Sequence, residues 1–263
     1  MTRLLTIIYG AANYLVGFAA FVYAICFLGN IEVPRSIDRG VAAPTGEAVA
    51  VNLLLLGVFG VQHSVMARPA FKRLWTRIVL QAIERSTYVG VTGLVLFLLF
   101  WQWRTMPAII WDMDWRPGRL IVQLLFWLGW AIALASTFMI NHFDLFGLRQ
   151  VYLAWRGQPY TELPFRSPLL YRLVRHPLML GFIVAFWASP RMTAGHLLFA
   201  TATTAYILIA LRLEERDLTA ALGDQYREYQ RRVPMLCPWP ARGVEQTGPP
   251  MGRLASTRRG GEE

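Results

Sequence analysis

Long apolar runs alternate with short polar connections along this chain, and the lengths of the runs are the first constraint on its fold. Four runs stand out, at about 4–29, 48–67, 88–106 and 119–140. Each approaches or exceeds the roughly 20 residues an α-helix needs to cross the hydrocarbon core of a bilayer. A fifth region reads as a hairpin. Pro177 opens an apolar stretch to Ala188, Ser189–Pro190–Arg191 turns the chain, and Thr193 to Leu211 returns. The first arm has about 12 residues, roughly 18 Å at 1.5 Å per residue, so it either starts before Pro177 with a kink or stops short of a full crossing. From about 214 the pattern turns polar but stays helical. Tyr226, Tyr229 and Val233, at i, i+3 and i+7, mark one face of a surface helix that Pro234 ends. After Pro240 the sequence is rich in Gly, Pro and Arg, and 243–263 reads as a disordered tail. The predicted fold is all-α: a polytopic membrane helix bundle of about five to six transmembrane helices, including a C-terminal helical hairpin, plus a cytoplasmic C-terminal helix. Residues 1–242 read as one domain, with no internal repeat.

Composition agrees with lipid as the solvent. Of 263 residues, 55% are apolar and 16% charged, against about 25% charged in a soluble domain, and the mean hydropathy is +0.38. The net charge of +10 comes from Arg and a single Lys, Lys72, and its placement matters more than its size. The connection 68–87 carries Arg68, Lys72, Arg73, Arg77 and Arg85 against Glu84. The connection 141–176 carries Arg149, Arg156, Arg166, Arg172 and Arg175 against Asp144 and Glu162. The connections 30–47 and 104–118 are balanced or slightly acidic. Basic loops stay on the cytoplasmic side, so 68–87, 141–176 and both termini are predicted to face the cytoplasm. All six crossings agree with that orientation. The basic balance thus serves topology and anionic headgroups rather than nucleic acid. Cys26 and Cys237 have neither zinc spacing nor a disulfide framework. The run Leu4–Leu28 is too long for the apolar part of a cleaved signal.

Ionisable residues beside a membrane are costly unless satisfied, so they are the place to look for chemistry. Four groups fall at the predicted cytoplasmic ends of the spans. In the first, Arg175–His176–Pro177 opens a helix, with Pro177 at its first position. Free backbone N–H groups and the helix dipole favour an anion there, Arg175 adds a forked cation, and Gly181 permits close approach on the same face. The second group is Arg212–Leu213–Glu214–Glu215–Arg216–Asp217, in which Arg212 and Glu215 can pair at i, i+3. The third is Asn141–His142–Phe143–Asp144 with Arg149 and Gln150. The fourth is Gln62–His63–Ser64 with Arg68. His196 lies near the opposite end and reads as structural. The four histidines lack metal-ligand spacing, so no metal is expected. No phosphate-binding glycine loop or serine-hydrolase elbow occurs.

These pieces in this order resemble the isoprenylcysteine carboxyl methyltransferase-like family of membrane enzymes. The resemblance rests on Arg175–His176–Pro177 with Gly181, a hydrophobic hairpin, Glu214–Glu215, Gly223–Asp224–Gln225–Tyr226–Arg227–Glu228–Tyr229 and Arg232–Val233–Pro234. Further runs, Val61–Arg68, Ile83–Tyr88 and His142–Gln150, are similar to the bacterial branch that converts methanethiol to dimethyl sulfide. Met179 stands where the broader family has Tyr. The resemblance implies S-adenosylmethionine as methyl donor, methanethiol as acceptor, no metal, and a bacterial inner-membrane protein whose site faces the cytoplasm. It implies cofactor contacts from Arg175, His176, Pro177, Gly181, Arg212, Glu214, Glu215, Tyr226 and Tyr229, within a cofactor-binding part at about 141–240. Arg175 and His176 would hold the carboxylate, Glu214 or Glu215 the ammonium or ribose, and the Tyr226/Tyr229 helix would close over the adenine. The thiolate is the nucleophile, so His142 or His63 is the candidate base, with Arg149 or Arg68 stabilising the anion. The rival readings are the same fold with a lipidic acceptor, such as a prenylated cysteine or a phospholipid headgroup, and a membrane scaffold without catalysis.

Overall fold

The structure, a computed structural model, describes residues 3–161, 163 and 167–238. The expected tail at 243–263 lies outside them. The helices, in chain order, are α1 (Arg3–Gly29), α2 (Thr45–Ala67), α3 (Pro69–Trp75), α4 (Gln81–Gln102), α5 (Arg116–Ile140), α6 (His142–Leu145), α7 (Leu148–Arg156), α8 (Pro177–Trp187), α9 (Ala194–Leu222) and α10 (Asp224–Arg232). Five of them, α1, α2, α4, α5 and α9, are long and apolar enough to cross a membrane. The fold is the all-α polytopic bundle expected. With 11 residues, α8 extends only about 16 Å, so the first arm of the hairpin stops short of a helical crossing. The returning arm runs on as one helix through the charged stretch to Leu222.

The third span departs most from its predicted bounds. It begins seven residues earlier, at Gln81, because the three polar residues directly before Tyr88 find partners. Arg85 Nε donates to the Leu145 carbonyl at 2.7 Å, Ser86 Oγ to the Gly147 carbonyl at 3.2 Å, and Thr87 Oγ1 to the Ile83 carbonyl at 2.7 Å. Gly147 has φ +84°, and a Cβ there would lie 2.6 Å from the Ser86 amide nitrogen. Only glycine lets the α6–α7 turn approach α4 this closely. The same span ends at Gln102, since Arg104–Thr105 (β2) leaves the helix to pair in parallel with Val41–Ala42 (β1). Ile109–Asp112 (β3) pairs antiparallel with Arg191–Thr193 (β4). Both ladders stitch connections at the rim away from Arg175.

The two ends of the bundle differ in kind. Toward the stitched rim, Phe27, Leu99, Phe100, Trp103, Phe126, Trp130 and Phe199 form the buried core. There His196 Nε2 donates to the Phe186 carbonyl at 2.9 Å, closing the last turn of α8, the structural role expected of it. At the other rim α6, α7 and α10 lie outside the spans and polar side chains point inward. Between the ends, α5 and α8 cross at backbone contact. A Cβ on Gly181 would lie 2.6 Å from the Gly129 carbonyl oxygen and 2.7 Å from the Ala133 amide nitrogen. This contact fixes where α8 begins and therefore where Arg175 and His176 stand.

Candidate active site

The start of α8 is held by ion pairs from α9 and by hydrogen bonds to the end of α10 and the segment after it. Arg175 meets Glu215 of α9 in a fork, Nε to Oε1 at 2.6 Å and Nη2 to Oε2 at 3.0 Å. Its Nη1 donates to the carbonyls of Val233 and Gln230, at 2.6 and 3.1 Å, where α10 ends. Four of its five donors are thereby used, leaving one Nη2 hydrogen. Glu215 also pairs with His176 Nε2 at 3.0 Å and accepts from Gln230 Nε2 at 3.3 Å. The Arg175 and His176 amides donate to the Pro234 and Met235 carbonyls, at 2.9 and 3.2 Å. One carboxylate and one guanidinium therefore join α8, α9 and α10 into a unit. Side-chain exposure of 11% for Arg175 and 14% for Glu215 keeps the pair largely out of water.

The expected i, i+3 pair between Arg212 and Glu215 does not form. A bidentate guanidinium fork is geometrically better than a surface i, i+3 contact, and Arg175 supplies it. Arg212 instead faces outward, onto an open groove of ≈ 520 Å³ lined also by Glu215, Arg216, Thr219, Ala220, Arg227 and Gln230. Glu214, one residue and about 100° away around the helix, is placed differently from its neighbour. Its carboxylate is 51% exposed and 4.0 Å from His176 Nδ1, and it has no hydrogen bond among the described residues. It lies within electrostatic reach of Tyr88 on α4, Tyr171 and Arg68. Burial holds the Tyr171 hydroxyl well above the usual tyrosine range, and the Glu214 charge adds to this. Tyr229 donates to the Tyr171 carbonyl at 2.5 Å. Burial raises its own hydroxyl to about 12, so it remains a donor at any working pH.

His63 and Arg68 lie on the α2 side of this region. The Tyr88 hydroxyl lies 2.9 Å from Nδ1 and 3.0 Å from Nε2 of His63, and Phe59 stacks on the ring at 5.2 Å. Next to His63, Ser64 Oγ is 3.0 Å from the Tyr206 hydroxyl of α9. Arg68 pairs with Asp217 at 2.5 Å. His142 and Arg149 lie apart, His142 against α1 and α5 and Arg149 on α7. Thr137 Oγ1 donates to the Leu134 carbonyl at 2.7 Å, so it must accept from His142 Nδ1–H, 2.9 Å away. Nε2 is then the acceptor for the Tyr14 hydroxyl at 2.9 Å. Phe138 stacks on the ring at 4.2 Å. Burial lowers the His142 pKa from its ordinary value, and no lone pair remains for a substrate proton. Arg149 holds Asp144 at 3.0 Å and the Thr161 carbonyl at 2.8 Å, which braces the loop after α7.

Of the candidates, Arg175, His176, Glu214 and Glu215 come together, with Arg68 and His63 beside them. The close approach Gly181 permits is to α5, where a Cβ would meet the Gly129–Ala133 backbone. Pro177 is fully buried at the first turn of α8. Tyr226, 1% exposed, packs with Tyr229 as the inner face of α10. Tyr88, Tyr171 and Gln230 were not legible as site residues. Tyr88 does follow the polar run Glu84–Thr87, and its place directly after those residues was the one available signal.

The sequence has strong relatives. It is 68% identical over 242 residues to methanethiol S-methyltransferase of Mycobacterium tuberculosis, covering 92% of this chain and 99% of that protein. It is 56% identical over 236 residues to methanethiol S-methyltransferase 2 of Bradyrhizobium diazoefficiens, covering 90% of this chain and 91% of that protein. Nurim of Mus musculus is a more distant relative, 31% identical over 189 residues, covering 69% of this chain and 70% of that protein. No family model matches the chain, and no solved structure matches it.

Proposed function

Because this chain belongs to the methanethiol S-methyltransferase family, we propose that it transfers a methyl group from S-adenosylmethionine to methanethiol, giving dimethyl sulfide. The reaction takes place at the Arg175 rim, which faces the cytoplasm of a bacterial inner membrane. Residues 1–242 act as one unit, with the cofactor-binding part at about 141–240. The donor supplies an electrophilic methyl on a sulfonium. Transfer to a thiolate cancels two opposite charges, so a dry, apolar surround favours the transition state. A methanethiol-sized acceptor offers little binding energy, so confinement must position it.

One observation carries the cofactor assignment: of the two adjacent glutamates, Glu215 is consumed by Arg175 and His176, whereas Glu214 presents a carboxylate without a hydrogen bond beside the start of α8. Glu214 is then the group for the ammonium of S-adenosylmethionine. The amides of Leu178 and Met179, which have no acceptor within the helix, and the remaining Nη2 hydrogen of Arg175 are the donors for its carboxylate. Glu215 holds these groups in place from behind. Titration calorimetry on the purified protein tests this. Glu214→Gln should weaken S-adenosylmethionine by about 10- to 150-fold, the worth of one charge-assisted hydrogen bond, in protein that still inserts. Affinity equal to that of the unaltered chain rejects the assignment.

A further inference from the structure

A thiol must lose its proton before it can attack, and the structure distinguishes the two histidines that could take it. His142 has both ring nitrogens bound, Nδ1–H to Thr137 and Nε2 to the Tyr14 hydroxyl. Among the described residues, the two ring nitrogens of His63 share one hydrogen-bond partner. The Tyr88 hydroxyl lies 2.9 and 3.0 Å from Nδ1 and Nε2, and it donates to the His63 carbonyl at 3.4 Å, so its oxygen accepts from the one ring nitrogen that carries a hydrogen. Tyr88 is 7% exposed and fixed within α4, so it holds the ring while the other nitrogen keeps a lone pair.

The pair also lies on the donor side of the protein. Tyr88 is within electrostatic reach of Glu214, the carboxylate assigned above to the methyl donor, and Glu214 is 4.0 Å from His176. The ionisable side chains around the pair are Glu84 and Arg85 on α4, Tyr206 and Glu214 on α9, Lys72 on α3 and Arg68 just before it.

We propose that His63 is the proton acceptor for the thiol and that Tyr88 is the residue that positions it. This inference rests on the methyl-transfer reading above. The methanethiol S–H bond breaks with its proton passing to the free His63 nitrogen. The sulfur lone pair forms the new C–S bond as the sulfonium C–S bond breaks. Dimethyl sulfide and S-adenosylhomocysteine are released, and the proton leaves His63 for water. Tyr88 exchanges no atom in the step; its hydroxyl fixes which ring nitrogen faces the acceptor.

The test measures dimethyl sulfide formation as a function of pH, with S-adenosylmethionine affinity measured alongside, in the full chain and in His63→Gln and Tyr88→Phe. His63→Gln should lower kcat/KM for methanethiol by about 100-fold or more near pH 7, the usual contribution of a general base. The deficit should shrink as rising pH supplies thiolate from solution, while cofactor affinity stays unchanged. Tyr88→Phe should lose about tenfold, the worth of one orienting hydrogen bond, with its pH profile displaced. Activity of His63→Gln within threefold of the unaltered chain near pH 7 overturns the proposal. So does a deficit of constant size at every pH, which marks a structural role. Were the unaltered chain itself to bind no S-adenosylmethionine and make no dimethyl sulfide, the methyl-transfer reading would fail first.

Discussion

Replacing Glu215 with Gln isolates the contact that joins α10 to the bundle. The substitution keeps size and shape but removes the charge facing Arg175 and His176. In the native arrangement the carboxylate accepts four contacts: two from Arg175, one from His176 and one from Gln230. Breaking a buried ion pair from one side costs about 3–5 kcal/mol. Gln retains one acceptor and the pair is a little exposed, so about 2–3 kcal/mol is the appropriate figure here. That energy falls on a local opening, because Arg175 also carries the Val233 and Gln230 carbonyls at the end of α10 while α5 and α8 are joined independently through Gly129 and Gly181. At 1.36 kcal/mol per factor of ten, hydrogen exchange of the α10 amides should accelerate by about 30- to 160-fold. Exchange in the central turns of α5 should not change. Unchanged protection of α10, or equal loss of protection in every helix, would refute the idea that Glu215 is a local clamp.

Other expectations follow from the same contacts. His142 ionises near 6.5 in the unfolded chain and lower in the folded one because burial disfavours its cation. Its contribution to stability is therefore complete above about pH 6.5 and is lost as pH falls through the folded value; the drop in melting temperature between about pH 7.5 and 5 should be smaller in His142→Gln. Gly181→Leu should destabilise by about 1–3 kcal/mol or more, since even a Cβ meets backbone on α5, and chemical unfolding in detergent measures it. Arg68→Ala should change unfolding free energy by less than about 1 kcal/mol, because the Arg68–Asp217 pair is 31% and 49% exposed. A larger loss would show that Arg68 does more for the fold than pair at the surface.

The spans were legible because lipid imposes a length and a composition on them. Pro177, the Ser189–Pro190 turn and the positive loops gave the hairpin and gathered the Arg175, Glu214 and His63 groups at one rim. What escaped was long-range pairing. A run such as Arg212–Asp217 reads as one charged cluster, yet on a helix Glu214 and Glu215 face different neighbours, and only the docking of α8 and α10 distinguishes them. Gly181 signalled close approach, and the structure supplies α5 as one partner, a contact that sequence alone does not identify. The polar start of α4 read as loop for the same reason: Arg85 and Ser86 are tolerable in a helix only because Leu145 and Gly147 offer carbonyls 60 and 61 residues away.

The reaction proposed for this membrane protein moves the sulfonium methyl of S-adenosylmethionine onto methanethiol. Incubating the purified chain with donor carrying a trideuterated methyl, together with unlabelled methanethiol, and weighing the headspace product by mass spectrometry addresses it directly. One trideuterated methyl per molecule of dimethyl sulfide is the expected result. Unlabelled dimethyl sulfide, or none above a protein-free control while the protein remains folded, would contradict it.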